Sequence, residues 1–499
     1  MSAQHIPILI PLILLLGAML TSGVGLWRKS LVYPVVIASL VCALTLAAAG
    51  LYHAIVNETI RYAIGGWLPP VGIEYVLDPL SGFMLVVILF VAAVVLVHAR
   101  VAVESEIPGR RGLFYAVALL LLTGFSGIVL TGDLFNLYVF LEISSLASYA
   151  LIAVGEKPAP VAAFRYLLVG TMGASLYLLG IGFLYVMTGS LNIADLASIL
   201  PTIGSHPTII IALALVIVGL AIKMALFPLH GWQPDAYTYA PSAVTALLAP
   251  IGAKVGAYVL IRMLFYVFEP SFVSRSLPVA EIIGWLSMVG ILFGSILAMA
   301  QKELKRMLAY SSIAQIGYIG LGIGLANPMG FVGAILHVLN HAFMKCGLFL
   351  VAGNLRLCVG HSTIPAFDDR LRRTMPWTMA AFTVFALSMI GIPPLAGFFS
   401  KWYLVLGALD RGSWVGVAVI LLSSLLNAVY FFRVLEKVYL RSPNAAEAPV
   451  NESHLLTSTE DVPSTIVPTV LLAVSVLVLG LLNALIVSNV IVLMLPEGL

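Results

Sequence analysis

Charge is the scarcest property of this sequence: only 9% of its 499 residues are Asp, Glu, Lys or Arg, against about 25% in a soluble globular domain. A fold with so few charges cannot cover a water-facing surface, which excludes a soluble enzyme. An apolar content of 61% excludes a disordered chain. Cysteine is nearly absent as well. Cys42, Cys346 and Cys358 show no CxxC spacing and sit in or beside apolar runs, so no redox pair, zinc set or disulfide scaffold is expected. There is no GxxxxGK[ST] loop for a nucleotide phosphate, and Gly320, Gly322 and Gly324 lie in an apolar run without the strand–turn–helix setting of a dinucleotide fold. With no cysteine cluster for iron–sulfur and no histidine pair for haem, the expected cofactor content is none, and no metal site is expected. Any redox chemistry would reside in another chain.

What the sequence has is long apolar runs, with a mean hydropathy of +1.09. About 20 apolar residues in a helix cross roughly 30 Å of hydrocarbon. On that rule fourteen spans are expected, at about 6–26, 31–52, 78–98, 112–131, 133–154, 161–187, 208–229, 242–268, 279–300, 304–325, 329–356, 375–407, 413–439 and 466–492. The runs are continuous and do not alternate, which excludes a β-barrel. The first span lacks a basic leader and is followed by the polar turn Trp27-Arg28-Lys29, so it reads as a true span. The expectation is an all-α polytopic membrane protein forming one integral domain over 1–499, with its core at about 112–440.

Lysine and arginine positions orient the spans. With the N-terminus outside, seventeen of the 25 fall on cytoplasmic loops and helix ends, among them Arg28, Lys29, Arg110, Arg111, Lys302, Lys305, Arg306, Arg370, Arg372, Arg373 and Arg441. Four fall on the outer side: Arg61, Arg262, Arg275 and Arg411. The positive-inside rule therefore favours both termini on the outer, periplasmic side of a bacterial inner membrane. On this topology the polar stretch 442–465 is a cytoplasmic loop. The last four basic residues, Lys223, Lys254, Lys345 and Lys401, fall inside spans, and none is an arginine.

A charged side chain at the centre of a spanning helix costs about 2.5–3.5 kcal/mol on insertion scales, so each such residue is a functional candidate. Arginine stays charged in a protein, whereas a buried lysine gives up its proton far more readily. One lysine near a helix end is explained by snorkelling to the interface; four together read better as titrating stations. Glu142 is the one acidic residue well inside a span. A pair with Lys223 would let both stay charged. Asp133, after Thr131-Gly132, reads more simply as a helix N-cap. His337, His341 and Lys345 at i, i+4 and i+8 share one helix face over about 12 Å. Histidine titrates near neutrality through either ring nitrogen, so this stripe suits proton relay, although one buried histidine can also be purely structural. No carboxylate or thiolate shares that face to attract a metal.

Prolines interrupt two lysine-bearing spans. Pro228 follows Lys223, and Pro393-Pro394 with Gly397 precede Lys401. Proline breaks helix hydrogen bonding, and irregular backbone at membrane depth is tolerated where it lines a polar cavity. Broken seventh and twelfth spans, five apart, point to a repeat-built transporter with its site near the midplane.

Four stretches carry a family resemblance: Thr131-Gly-Asp-Leu-Phe-Asn-Leu-Tyr-Val-Phe-Leu-Glu142, Lys223-Met-Ala-Leu-Phe-Pro-Leu-His230 with Trp232-Gln-Pro-Asp235, Lys305-Arg-Met-Leu-Ala-Tyr-Ser-Ser-Ile-Ala-Gln-Ile-Gly-Tyr318, and Gly391-Ile-Pro-Pro-Leu-Ala-Gly-Phe-Phe-Ser-Lys401. Nearly the whole chain resembles the antiporter-like subunits shared by Mrp-type cation/proton antiporters, respiratory complex I and membrane-bound hydrogenases. The resemblance implies fourteen helices with two inverted five-helix repeats, spans 4–8 and 9–13. It matches Glu142 and Lys223 to the family's glutamate–lysine pair, and Lys254 to its eighth-helix lysine. His337, His341 and Lys345 match the eleventh-helix relay, and Lys401 the lysine on the broken twelfth helix. Residues 131–142 look most like the D-type subunits of Mrp antiporters. The segment ending at Lys401 is closer to the complex I branch, and Gln233 stands where the family usually has leucine.

The expected function is proton translocation within a multisubunit Na⁺/H⁺ antiporter, a transport rather than an enzymatic role. The expected partners are other membrane subunits of an Mrp-type complex, protons, Na⁺ and lipid, with no nucleic acid. The alternative is a proton-pumping subunit of an NADH:quinone oxidoreductase or a membrane-bound hydrogenase.

Overall fold

Thirteen helices among the described residues are long and apolar enough to cross a membrane. The computed structural model describes residues 3–441, 460 and 462–499; most of the expected cytoplasmic loop at 442–465 lies outside them. The chain opens with α1 (Ile6–Trp27) and α2 (Val32–Val56) and continues through α3 (Pro79–Glu106), α4 (Arg111–Leu130), α5 (Leu134–Ala153) and α6 (Ala159–Thr188). A short α7 (Ile193–Ile203) precedes α8 (Pro207–Met224), α9 (Gln233–Tyr239) and α10 (Ser242–Arg262). The second half runs α11 (Val279–Ala300), α12 (Leu304–Leu325), α13 (Pro328–Val359), α14 (Arg370–Thr374), α15 (Pro376–Ile390), α16 (Ala396–Asp410), α17 (Trp414–Leu440), α18 (Pro463–Leu481) and α19 (Asn483–Ile486). Helices α15 and α16 have 15 residues each, about 22 Å apiece at 1.5 Å per residue. Neither crosses alone, so the twelfth span is made of two pieces and the helix count is thirteen where the sequence predicts fourteen spans.

Local chemistry sets several boundaries. Asp78 and Ser81 form a reciprocal capping box at the start of α3, each side chain accepting the other's backbone N–H at 2.8 Å. Asp133 caps α5, accepting from the Asn136 N–H at 2.7 Å, as its place in the sequence predicts. Between α2 and α3, strands β1 (Ile60–Ala63) and β2 (Glu74–Leu77) pair antiparallel with Ile60 opposite Leu77. Glu74 accepts from Arg61 at 3.0 Å and from Asn192, the α7 N-cap, at 2.8 Å. This ties the hairpin to the same end of the bundle as the start of α7.

The interior is formed by α10, α12 and α13, whose side chains are buried almost without exception. The outer helices turn apolar stripes outward. Val161, Phe164, Leu168, Met172 and Leu179 recur at helical spacing along α6, and Leu421, Leu425, Val429 and Phe432 along α17, all exposed. Such stripes suit lipid or neighbouring subunits. Helices α11 and α12 approach most closely where small residues meet. A Cβ on Gly317 would fall 2.8 Å from the Ser287 carbonyl oxygen, one on Gly294 would fall 2.6 Å from the Ala314 nitrogen, and Gly324 lies directly against Gly284.

Both expected breaks are present. Helix α8 ends at Met224 with Ala225 at φ 57°, and α15 ends at Ile390 with Gly391 at φ 97°. Lys223 precedes its break and Lys401 follows its own. Because successive crossings alternate in direction and these are five spans apart, both lysines lie on the half of their broken helix nearer the hairpin end.

Candidate functional site

Lys223 sits in the last turn of α8, and its position follows from how that helix ends. The Leu226 N–H donates to the Ala221 carbonyl at 2.9 Å and the Ala225 N–H to that of Ile222 at 3.2 Å, a closure that ends a helix through a left-handed residue. Pro228 prevents the helix from resuming at once. Trp232 folds back to donate its indole N–H to the Ile222 carbonyl at 3.0 Å, and its ring stacks on Tyr166 at 3.7 Å. Lys223 thus occupies a helix C-terminus, the end whose carbonyl dipoles favour a cation.

From there Lys223 Nζ stands 3.5 Å from Glu142 Oε1 and donates to Ser145 Oγ at 2.7 Å. Glu142 and Ser145 are three residues apart on α5 and so share a face. The side chains differ in surroundings: Lys223 is 6% exposed and Glu142 24%. Ser144, Ser145, Ser148 and Lys223 line a cavity of about 30 Å³ whose far wall is Gly252 and Gly256 of α10. That is room for a water or two, with enough polar groups around it to hold them. Lys254 lies between these two glycines in the chain but on the opposite side of α10, away from the cavity.

Lys254, His337, His341 and Lys345 are fully buried, and Lys401 nearly so. Lys254 Nζ donates to the Ala249 carbonyl of its own helix at 2.7 Å. Lys345 Nζ donates to the Leu308 carbonyl at 2.7 Å and to Ser311 Oγ. Lys254, His341 and Lys345 lie within electrostatic reach of one another. The His337 and His341 rings stack with centroids 5.7 Å apart. Nδ1 of His337 meets Ser400 Oγ at 2.9 Å and its Nε2 meets Gln315 Oε1 at 3.0 Å. Neither ring nitrogen of His341 has a hydrogen-bond partner among the described residues.

Lys401 shows what the second break does. Ending α15 at Ile390 leaves carbonyl groups without intrahelical donors. Lys401 Nζ occupies that end, donating to the Met389 and Ile390 carbonyls at 2.9 and 3.0 Å and to Ser424 Oγ at 3.0 Å. It also lies 5.1 Å from the Tyr318 ring centroid, and Tyr318 in turn packs on His337 at 5.3 Å. The candidate residues therefore form two groups: Glu142 with Lys223 between α5 and α8, and Lys254, Lys345, His341, His337 and Lys401 running from α10 across α13 to α16. The small cavity lies beside the first group, against α10. Among the described residues, Lys223 alone of these lysines pairs with a carboxylate; the others bond neutral oxygens.

Several buried polar contacts escape a reading of the sequence. Lys305 belongs to the basic run counted as solvated helix-end charge, yet it is fully buried and donates to the Ala240 carbonyl, at the end of α9, at 2.6 Å. Its only signal is a place in the first turn of a helix that the bundle encloses. Arg262, counted as an outer loop charge, is 12% exposed and paired with Asp78 at 2.5 Å. His98, near the end of the third span, is buried with Nε2 2.7 Å from Asn354 Oδ1. No periodicity in the chain announces partners so distant along it.

Comparison with known proteins places this fold in a known family. Residues 131–427 match the family described as "NADH:quinone oxidoreductase/Mrp antiporter, TM". The chain is 49% identical over 497 residues to the N subunit of an NADH-quinone oxidoreductase from Desulforudis audaxviator, covering 99% of each chain. It is 33% identical over 374 residues to the D-type chain of a Na(+)/H(+) antiporter from Alkalihalophilus pseudofirmus, covering 74% of each. A chain in the structure of the Mrp complex from Dietzia sp. overlays with a TM-score of 0.88 at 26% identity, over 99% of this chain and 97% of that one.

Proposed function

The chain belongs to the NADH:quinone oxidoreductase/Mrp antiporter membrane family, and from that premise we propose that it is the proton-translocating subunit of a multisubunit Na⁺/H⁺ antiporter of Mrp type. Its partners are other membrane subunits of that complex, and its place is the bacterial inner membrane with both termini outside. The observation that carries this reading is the Glu142–Lys223 pair held at a helix break, 3.5 Å apart, beside a small polar cavity.

In the proposed cycle Glu142 holds protonated Lys223 until ion movement or a change at the α8–α9 break weakens the pair. The proton then passes through Lys254 to the His341, His337 and Lys345 stripe and on to Lys401. Stacked imidazoles 5.7 Å apart do not hydrogen-bond face to face, so exchange along the stripe uses intervening water or ring rotation. Each step needs little driving force, since one pKa unit is about 1.4 kcal/mol. The proposed core, about 112–440, holds the two breaks as parts of inverted five-helix repeats.

A second reading has its own support. The 49% identity to the N subunit of an NADH-quinone oxidoreductase favours a proton pump powered by electron transfer elsewhere in a redox complex. The proton path is the same; the source of energy differs. Isolating the complex from native membranes and identifying its subunits separates them. Small membrane partners without redox centres support the antiporter, and iron–sulfur or nickel–iron subunits overturn it in favour of the pump.

A further inference from the structure

A second polar cavity lies at the hairpin end of the bundle. It has a volume of about 190 Å³, and Arg61, Glu74, Asp78, Thr131 and Arg262 are among its lining residues. It holds two acidic and two basic groups in pairs, Arg61 with Glu74 at 3.0 Å and Arg262 with Asp78 at 2.5 Å, so it is hydrophilic with no net charge from these four. The cavity beside Lys223 lies directly beneath it. On α5, Leu137 lines the larger cavity and Leu141 the smaller; on α4, Val129 and Phe125; on α10, Tyr258 and Val255. On all three helices the two linings are three or four residues apart, one helical turn or about 5.4 Å. Ile128, 1% exposed, lines both cavities.

We propose that the hairpin-end cavity is the vestibule of a water-filled access route to the Glu142–Lys223 pair, and that Ile128 is the septum that keeps the route closed. A single apolar layer of this thickness excludes a continuous file of water while it is intact. A small rotation of α4 or α5 that withdraws the Ile128 side chain would join the two cavities. The species admitted is a proton carried by water, since the inner cavity is too small for a hydrated metal cation. The proposal rests on the proton-carrying role of the Glu142–Lys223 pair, and its test separates the two.

The test uses the purified whole complex in proteoliposomes, with an imposed pH gradient and no driving reaction. Ile128→Ser is expected to raise the passive proton leak on the order of tenfold, and adding Glu142→Ala to return it to the wild-type level. An unchanged leak in Ile128→Ser overturns the route. A raised leak that persists in the double variant also overturns it, because the water would then bypass the pair. Accessibility gives a reading independent of the pair. In a background lacking Cys42, Cys346 and Cys358, Leu137→Cys should react with a charged methanethiosulfonate added from the hairpin side. Leu141→Cys should react only when combined with Ile128→Ser. Equal labelling of Leu141→Cys with and without the septum substitution would overturn the proposal. If Glu142→Ala alone leaves driven transport intact, the pair's role fails while the labelling result still decides the route.

Discussion

Gly391 lies directly beneath the Lys401 side chain: a Cβ at this position would stand 3.2 Å from Lys401 Cδ. The glycine also takes φ 97°, which L side chains rarely adopt. One residue thus closes α15 and makes room for the lysine that caps its carbonyls. Gly391→Ala is expected to cost about 1–2 kcal/mol from the backbone conformation alone and to displace Lys401 from the Met389 and Ile390 carbonyls. The thermal midpoint of the purified complex should fall and transport should drop; a variant with both unchanged would detach the glycine from the lysine's placement.

Glu142→Ala and Lys223→Ala should each reduce proton transport by about 10²-fold or more, the scale of losing a positioned proton-transfer group. Assembly should survive, because Glu142 is partly exposed and Lys223 keeps Ser145 as an acceptor. Dye-quench transport in membrane vesicles, with subunit stoichiometry from the same preparation, reads both. Full transport in either variant would end the pair's proposed role.

Lys401→Arg distinguishes charge from proton exchange. Arginine satisfies the freed carbonyls and Ser424 Oγ but does not release its proton in a protein. The complex should assemble with an unchanged thermal midpoint while proton flux fails, as it should in Lys401→Ala. Normal flux in Lys401→Arg would remove this side chain from the path.

Lys305→Ala addresses a residue whose burial only the fold reveals. Its Nζ satisfies the Ala240 carbonyl at the end of α9, and leaving that group unpaired and buried costs about 1–3 kcal/mol. The expected result is a thermal midpoint lowered by a few degrees, with transport weakened through the loosened α8–α9 break. An unaltered midpoint would show that the bond contributes nothing to stability.

The orientation of the chain is open to direct measurement. Alkaline phosphatase fused after Leu499 should be active in cells, and the same enzyme inserted between Arg28 and Ser30 inactive. The reverse pattern would invert the topology inferred from the basic residues and place the hairpin end on the cytoplasmic side.

The spans were legible in the sequence because hydrocarbon imposes one rule on length and polarity, and both breaks were legible because proline stands close to a buried lysine in each, although α1, α10 and α18 run on through internal prolines. The candidate lysines and histidines stood out for a similar reason: a charge in an apolar run needs an explanation. What stayed hidden depends on packing between distant segments. Gln315 and Ser400 hold the two nitrogens of His337 from 22 and 63 residues away, and neither is conspicuous in its own run. Lys305 was hidden by its company, since Lys302 and Arg306 beside it make a solvated cluster the natural reading. Ile128 is one apolar residue among many, and only the cavities on either side of it mark it out.

The glycine and serine contacts between α11 and α12 leave these helices no slack. Where Gly324 meets Gly284 and Gly317 meets Ser287, sliding one helix past the other would drive backbone into backbone. The two must therefore travel as a single rigid body, and any working stroke is concentrated in joints elsewhere. The interrupted helices at 225–232 and 391–395 supply such joints, each within about two turns of helix of a buried lysine, Lys223 and Lys401. A cross-link between α11 and α12 should consequently be harmless to transport, whereas one that spans either joint should stall it.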